Sequence, residues 1–78
     1  MNIQVITAPG CVKCHDLIDM LGDMSVRFQT IDITRHPKYL SKYMIMTAPA
    51  LIIDGRLAYT GVPARRHLKR LLTERQPD

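Results

Sequence analysis

The segment ALIIDGRLAYT, residues 50–60, restricts the fold of this chain more than any other stretch. Two apolar runs, Ala50–Ile53 and Leu57–Thr60, flank the dipeptide Asp54-Gly55. An Asp-Gly pair between two such runs is the strongest short-range signal for a β-hairpin with a two-residue turn. The segment therefore predicts two neighbouring antiparallel strands, and any architecture for the chain has to contain them.

A strand, a helix and a second strand are predicted ahead of the hairpin. The segment NIQVIT, residues 2–7, contains the apolar residues Ile3, Val5 and Ile6 and ends at the turn-forming tripeptide Ala8-Pro9-Gly10, as expected of a buried strand. After Gly10 the apolar residues recur at helical spacing, with an inner stripe of Cys14, Leu17, Ile18, Leu21 and Met24. The β-branched residues of Val26–Ile33 then predict the second strand.

Two more helices are predicted, and a proline stands at the start of each. Pro37 opens a short helix whose inner residues are expected to be Leu40, Tyr43 and Met44. Pro63 opens the last helix, whose inner side is predicted to be Ala64, Leu68, Leu71 and Leu72 and whose outer side is Arg65, Arg66, Lys69 and Arg70. The tail Gln76-Pro77-Asp78 is expected to fray.

The resulting element order, β-α-β-α-β-β-α, predicts an α/β fold. The first two strands are joined through a helix, so they are expected to be parallel with a right-handed crossover. Together with the antiparallel hairpin they form a four-stranded mixed sheet, flanked by the three helices on its two faces. Because 78 residues suffice for one modest core, a single domain covering residues 1–78 is expected.

The segment CVKCH, residues 11–15, contains both cysteines of the chain, two residues apart and followed by a histidine. A thiol–disulfide couple, a c-type haem attachment site and half of a zinc site all share this pattern. Haem is disfavoured because the amino-terminal sequence shows no export signal and the predicted fold is not mainly helical. His15 also has an ordinary interpretation as an exposed residue in the first turn of a helix.

Metal binding is a second alternative for the cysteine pair. A structural zinc site needs four ligands, and the sequence has no second closely spaced pair among its candidates, which are Cys11, Cys14, His15, His36 and His67. A metal held between two molecules stays open, as does a pair of inert, buried cysteines. We expect no resident metal and no cofactor.

The placement of the two cysteines favours redox chemistry. Cys11 follows a Pro-Gly turn at the first turn of a helix, where unpaired N–H groups and the helix dipole stabilise an anion. Lys13 adds a nearby positive charge, whereas Cys14 lies on the shielded inner stripe. Cys11 is therefore predicted to attack a substrate disulfide, and Cys14 to resolve the mixed disulfide.

The distribution of charge along the chain limits which kinds of partner are expected. Residues 1–33 contain two basic and four acidic residues, whereas residues 34–78 contain nine basic and three acidic residues. The net charge of the chain is +4. A basic surface around Arg65–Arg70 leaves open a module that binds acidic partners, with the thiols as a switch. Nucleic acid is not expected, because no aromatic residues interleave the basic ones. With no membrane span or export signal visible, the cytosol is the expected location.

The chain resembles the thioredoxin-like superfamily in its minimal, glutaredoxin-sized form. The resemblance rests on a strand followed by Cys11-Val12-Lys13-Cys14 at a helix start, and on Thr47-Ala48-Pro49 ahead of the Asp-Gly hairpin. It implies a cis peptide bond before Pro49 and an extended substrate that pairs with the backbone of Ala48. The substrate-binding residues that it implies are Val12, Thr47, Ala48, Pro49, Thr60 and Gly61.

The resemblance also bears on partners. The Ala-Pro pair and the segment Tyr59–Gly61 are similar to the glutaredoxin-like hydrogen donors of ribonucleotide reductase, which accept electrons from thioredoxin reductase. We therefore expect a monomer that reduces protein disulfides and is reduced by a thioredoxin-reductase-like enzyme rather than by glutathione. Val5 stands where thioredoxins carry a buried acid, so His15 and Asp16 are the candidates to assist deprotonation of Cys14.

Overall fold

The computed structural model describes residues 1–74, and within them the elements follow the predicted order. Residues 75–78, which include the tail Gln76-Pro77-Asp78, lie outside the described residues. The strands are β1 (Ile3–Thr7), β2 (Gln29–Asp32), β3 (Ala50–Ile53) and β4 (Arg56–Thr60), and the helices are α1 (Val12–Asp23), α2 (Lys38–Lys42) and α3 (Arg65–Glu74). None of these helices is long and apolar enough to cross a bilayer.

The four strands form one mixed sheet in the order β2-β1-β3-β4. Strand β1 is parallel to β2 and antiparallel to β3, so that Val5 lies between Thr30 and Leu51. Strands β3 and β4 form the predicted hairpin, with Ala50 opposite Thr60 and a register shift between Leu51 and Ile52. The α/β prediction and the mixed sheet are confirmed.

Both faces of the sheet are covered, because successive residues of a strand point to opposite faces. On one face the helices α1 and α3 pack against the sheet, and the buried residues there are Ile3, Val5, Leu17, Leu21, Leu51, Ile53 and Leu68. On the other face the segment that contains α2 packs against Ile6, Ala50 and Ile52 and adds the buried Ile45. The central strand β3 is accordingly buried over its whole length.

The second strand is shorter than predicted. It was expected over Val26–Ile33 but spans Gln29–Asp32. The chain leaves α1 through Ser25, whose φ of 56° is left-handed, and the Val26 N–H donates to the Leu21 carbonyl at 3.1 Å. This arrangement is a helix-terminating Schellman motif. Val26 and Phe28 therefore pack against the core without joining the sheet.

The predicted inner sides of α2 and α3 are partly wrong. Leu40 and Met44 are 44% and 80% exposed. Met44 lies beyond α2, which ends at Lys42, and adopts a left-handed φ of 54°. Ile45 takes the inward place. Pro37 precedes α2 as its cap. Ala64 is exposed because α3 begins one residue later and the Ala64 carbonyl only accepts the N–H of Leu68, at 2.9 Å.

The hairpin turn allows the cost of a non-glycine residue in the left-handed conformation to be measured. Asp54 and Gly55 have φ values of 52° and 79°, and a Cβ atom added at Gly55 would meet no atom within 4 Å. A Gly55→Ala variant is therefore expected to lose only the cost of a left-handed residue, about 1–2 kcal/mol of unfolding free energy. Urea unfolding measures this loss. Gly22→Ala, within α1, is the control and is expected to be neutral or stabilising by up to about 1 kcal/mol; equal effects at the two sites would contradict the argument.

Candidate functional site

The register of the sheet brings four separate segments to one end of it. Thr7 is opposite Asp32 at the carboxyl ends of β1 and β2, and Ala50 is opposite Thr60 where β3 begins and β4 ends. The segments 8–11, 33–37, 46–49 and 61–64 follow or precede these strand ends. The cysteine pair and the Thr-Ala-Pro segment, which are far apart in sequence, therefore lie at the same end of the fold.

Cys11 is the amino-terminal cap of α1. Its backbone is extended, with φ −82° and ψ 100°, and its N–H donates to the Ala8 carbonyl at 3.2 Å. The Cys11 Sγ accepts a hydrogen bond from the backbone N–H of Cys14 at 3.1 Å. A sulfur at this position receives one of the N–H groups that a helix start leaves unpaired.

Cys14 is buried on the inner side of α1 and only 3% exposed, as predicted. It is joined to Cys11 by a disulfide whose Cα atoms are 5.4 Å apart, within the usual range for such bonds. Its Sγ lies 3.9 Å from the carbonyl oxygen of Ile6. Cys11, in contrast, is half-buried and reaches the surface, so the two cysteines differ in exposure.

A groove of about 320 Å³ opens beside the disulfide. It is lined by both cysteines, by residues of the preceding turn and by His15, Ile18 and Thr30. The structure thus brings His15 to the cysteine pair, whereas Lys13 is exposed and does not line the groove. Their roles as auxiliary residues stay predictions.

The predicted substrate-binding residues lie on the loops at this end of the sheet. Thr47 is exposed, Ala48 is half-buried and Pro49 is buried, and the Ala48–Pro49 peptide bond is cis. The N–H of Gly61 donates to the Pro49 carbonyl at 2.7 Å, which ties the loop after β4 to this segment. Thr60 is exposed.

Val12, the remaining residue of the predicted set, lies between the two cysteines and is 75% exposed. An apolar side chain in this position is available to a docking partner. Its part in substrate binding stays a prediction.

A second groove, of about 160 Å³, contains residues that the sequence reasoning missed. Leu40 and Met46 line it together with Ala8, Thr47 and Ala48. The signal was present in the sequence, because two methionines in the segment MIMTAP directly precede the Thr-Ala-Pro motif. Leu40 was instead assigned to the inner side of α2.

The charged side chains around the site reach the surface, and Asp32 among them is half-buried. Among residues 1–73, whose side chains are described, no polar or charged side chain is buried, and Val5 is fully covered by apolar neighbours. Asp32, at the end of β2, accepts hydrogen bonds from the hydroxyl and the N–H of Thr34 at 2.6 and 2.9 Å. These hydrogen bonds lower the pKa of the Asp32 carboxyl. Within the described chain, no three potential metal ligands cluster.

The fold and the site together define a thioredoxin-like redox protein. A mixed four-stranded sheet covered by helices on both faces carries a Cys-x-x-Cys disulfide at the start of its first helix. The model of the thioredoxin-domain family matches residues 1–73. The chain belongs to that family.

Individual proteins agree with this assignment. A probable thioredoxin of Methanothermobacter thermautotrophicus is 30% identical over 74 residues, which cover 87% of each chain. A thioredoxin of Methanocaldococcus jannaschii is 23% identical over 82 residues, covering 96% of this chain and 95% of that one. The solved structure of the glutaredoxin-like NrdH-redoxin from Escherichia coli has the same fold, with a TM-score of 0.77 at 20% identity over 100% of this chain and 99% of that one.

Family membership and the disulfide establish the activity. The protein is a thiol–disulfide oxidoreductase that works through the couple of Cys11 and Cys14. Its substrates are protein disulfides, and it requires a reductant to return to the dithiol state.

Proposed function

We propose that Cys11 is the nucleophile of the couple and Cys14 the resolving residue. The Cys11 thiolate attacks one sulfur of a substrate disulfide, and the other substrate sulfur leaves as a thiolate. Cys14 then attacks the Cys11 sulfur, which releases the second substrate thiol and forms the Cys11–Cys14 disulfide. The difference in access supports this order, since Cys11 reaches the surface and Cys14 is 3% exposed.

The observation that carries the proposal is the hydrogen bond from the Cys14 N–H to the Cys11 sulfur at 3.1 Å. In the dithiol state the same donor and the positive end of the α1 dipole favour a thiolate at Cys11. We therefore expect the pKa of Cys11 to lie below that of a free cysteine. Burial in an apolar environment acts in the opposite direction on Cys14.

Alkylation of the reduced protein measures this difference. Iodoacetamide modification, followed by peptide mass spectrometry between about pH 5 and pH 9, is expected to label Cys11 first and Cys14 only at higher pH. Each unit by which the pKa is lowered gives about tenfold more thiolate well below that pKa. Equal rates at both sulfurs, with the midpoint of free cysteine, would refute the proposed roles.

We propose that an extended segment of the substrate pairs with the backbone of Thr47 and Ala48. Within residues 1–74 the N–H and C=O groups of these two residues have no backbone hydrogen-bond partner. A backbone segment with unpaired N–H and C=O groups can pair with an extended segment of another protein. Thr60, Gly61 and Val12 lie at the same end of the fold and are proposed to contact the substrate beside it.

We further propose that the reductant is a thioredoxin-reductase-like enzyme and that the substrates include ribonucleotide reductase or similar enzymes. The segment Thr60–Pro63 carries no acidic residue that could hold the charged ends of glutathione. The fold shared with NrdH-redoxin is consistent with this proposal. A monomeric state and a cytosolic location also stay proposals.

Comparison of two electron sources tests this part of the proposal. With insulin as substrate, we expect turnover with NADPH and thioredoxin reductase and little above background with glutathione and glutathione reductase. A conventional glutaredoxin serves as the matched control for the glutathione assay. The reverse preference would place the protein with the glutathione-dependent glutaredoxins.

A further inference from the structure

Two solvent-exposed methionines precede Thr47 and Ala48, the proposed docking segment, in the chain. Met44 is 80% and Met46 is 89% exposed, more than the other exposed large apolar side chains, which are Met1, Val12 and Leu40. A single exposed apolar residue is ordinary on a protein surface. Two of them in three positions, next to Thr47 and Ala48, call for a physical reason.

The two methionines differ in their surroundings. Met46 lines the groove of about 160 Å³ with Leu40, Ala8 and Ala48. Met44, which follows α2 and has a left-handed φ of 54°, is not among the residues that line that groove. The chain therefore contains two methionines of similar exposure, of which only one belongs to the docking surface.

The groove adjoins the redox site through Ala8, which also lines the groove beside the disulfide. Ala8 lies in the turn before Cys11, and its carbonyl accepts the Cys11 N–H at 3.2 Å. Ala48, on the other side, belongs to the segment proposed to pair with the substrate. An extended substrate segment that pairs with Thr47 and Ala48 would place a side chain over Leu40 and Met46, and a bulky apolar side chain fits this apolar surface.

Exposed methionine is also a site of reversible oxidation. Its sulfur attacks the outer oxygen of a hydroperoxide, the O–O bond breaks and an S–O bond forms. The sulfur loses two electrons, and the peroxide is reduced to water or an alcohol. The product, methionine sulfoxide, is polar and chiral, and methionine sulfoxide reductases reverse the change.

We propose that Met46 is a peroxide-modification site that regulates substrate docking. Oxidation converts an apolar wall of the groove into a polar one and weakens binding of the substrate's apolar side chain, while the cysteine chemistry is unchanged. The inference rests on the proposed docking of an extended substrate at Ala48. It predicts that protein disulfides are affected, and that small disulfides, which need no docking segment, are not.

The test compares the wild type with the variants Met46→Leu and Met44→Leu. Each protein is treated in its disulfide form with hydrogen peroxide, so that the cysteines are protected, and is then freed of peroxide and reduced with dithiothreitol. Peptide mass spectrometry locates the added oxygen. Single-turnover rate constants are measured with insulin and with a small aromatic disulfide, each sample against its own untreated control.

We expect the rate constant of oxidised wild type with insulin to fall by about three- to tenfold, as when a methionine that the docked substrate partly covers loses its apolar contact. The rate constant with the small disulfide should not change. Met44→Leu should show the same loss, Met46→Leu should show none, and treatment with methionine sulfoxide reductases should restore the wild type.

The contrary results separate the two proposals. A sulfoxide at Met46 without a loss of rate, no sulfoxide at Met46, or an equal loss in Met46→Leu would overturn the inference and leave the proposed function intact. An equal loss with both disulfides would also overturn it, because damage to the redox centre would explain the effect. Failure of the untreated wild type to reduce insulin would refute the proposed function itself.

Discussion

A Cys11→Ser variant is expected to reduce insulin no faster than the uncatalysed background, whereas Cys14→Ser is expected to stop after the first attack. Serine at position 11 keeps the size of the side chain but removes the more exposed of the two cysteines, so no mixed disulfide can form. Serine at position 14 leaves the surface sulfur and its helix cap in place. The Cys14→Ser change removes only the thiol that resolves the mixed disulfide.

The measurement combines kinetics with mass spectrometry. Insulin reduction is followed by turbidity with dithiothreitol as the electron source, and the Cys14→Ser protein is incubated with a disulfide-bonded substrate. Its mass should rise by one substrate chain, and dithiothreitol should reverse the increase. The Cys11→Ser protein is the matched control and should show no adduct. If both variants form the adduct equally, or neither does, the assignment of roles is wrong.

The largest effect on stability is expected at Leu17. Its side chain is fully buried between α1 and the sheet, among Val5, Leu21, Leu51 and Leu68. Truncation to alanine removes apolar contacts and leaves a cavity, which in buried leucines costs about 2–5 kcal/mol. Because small domains are stable by only about 5–15 kcal/mol, this change removes a large share of the stability.

Urea unfolding of the disulfide form of Leu17→Ala, followed by circular dichroism, tests this expectation. The midpoint should fall strongly, with partial unfolding in buffer as the extreme result. Asp19→Ala, an exposed position two residues further along the same helix, controls for helix propensity and should change the free energy of unfolding by less than about 0.5 kcal/mol. Similar losses in both variants would show that Leu17 is not part of the core.

Several features followed from the sequence because they depend on neighbouring residues alone. The Asp54-Gly55 turn requires two left-handed residues, which this dipeptide accepts at low cost, and the hairpin was predicted correctly. The spacing of Leu17 and Leu21 identified the inner side of α1, and it also placed Cys14 on that side. The predicted position of Cys11 at the start of α1 was also confirmed, because the turn before it and the helical spacing after it are local features.

The ends of elements were less predictable, because they depend on competing interactions. Val26 has a strong preference for strands, yet a left-handed Ser25 places it in the cap of α1. Met44 has helical spacing from Leu40, yet α2 stops before it. In both places a backbone hydrogen bond to the last helical turn and contact with the core outweigh the local preference of the residue.

By itself, the sequence determined the turns, the order of the elements, the cysteine couple and the position of that couple at the amino-terminal end of α1. These features depend on backbone preferences and side-chain spacing over a few residues. Only the tertiary structure decided that Cys11, Ala48 and Gly61 lie at one end of the sheet, and that Met46 lines a groove with Ala48 while Met44 does not. Such proximity depends on strand pairing between residues more than forty positions apart, for example Ile6 with Ala50, and no local pattern encodes it.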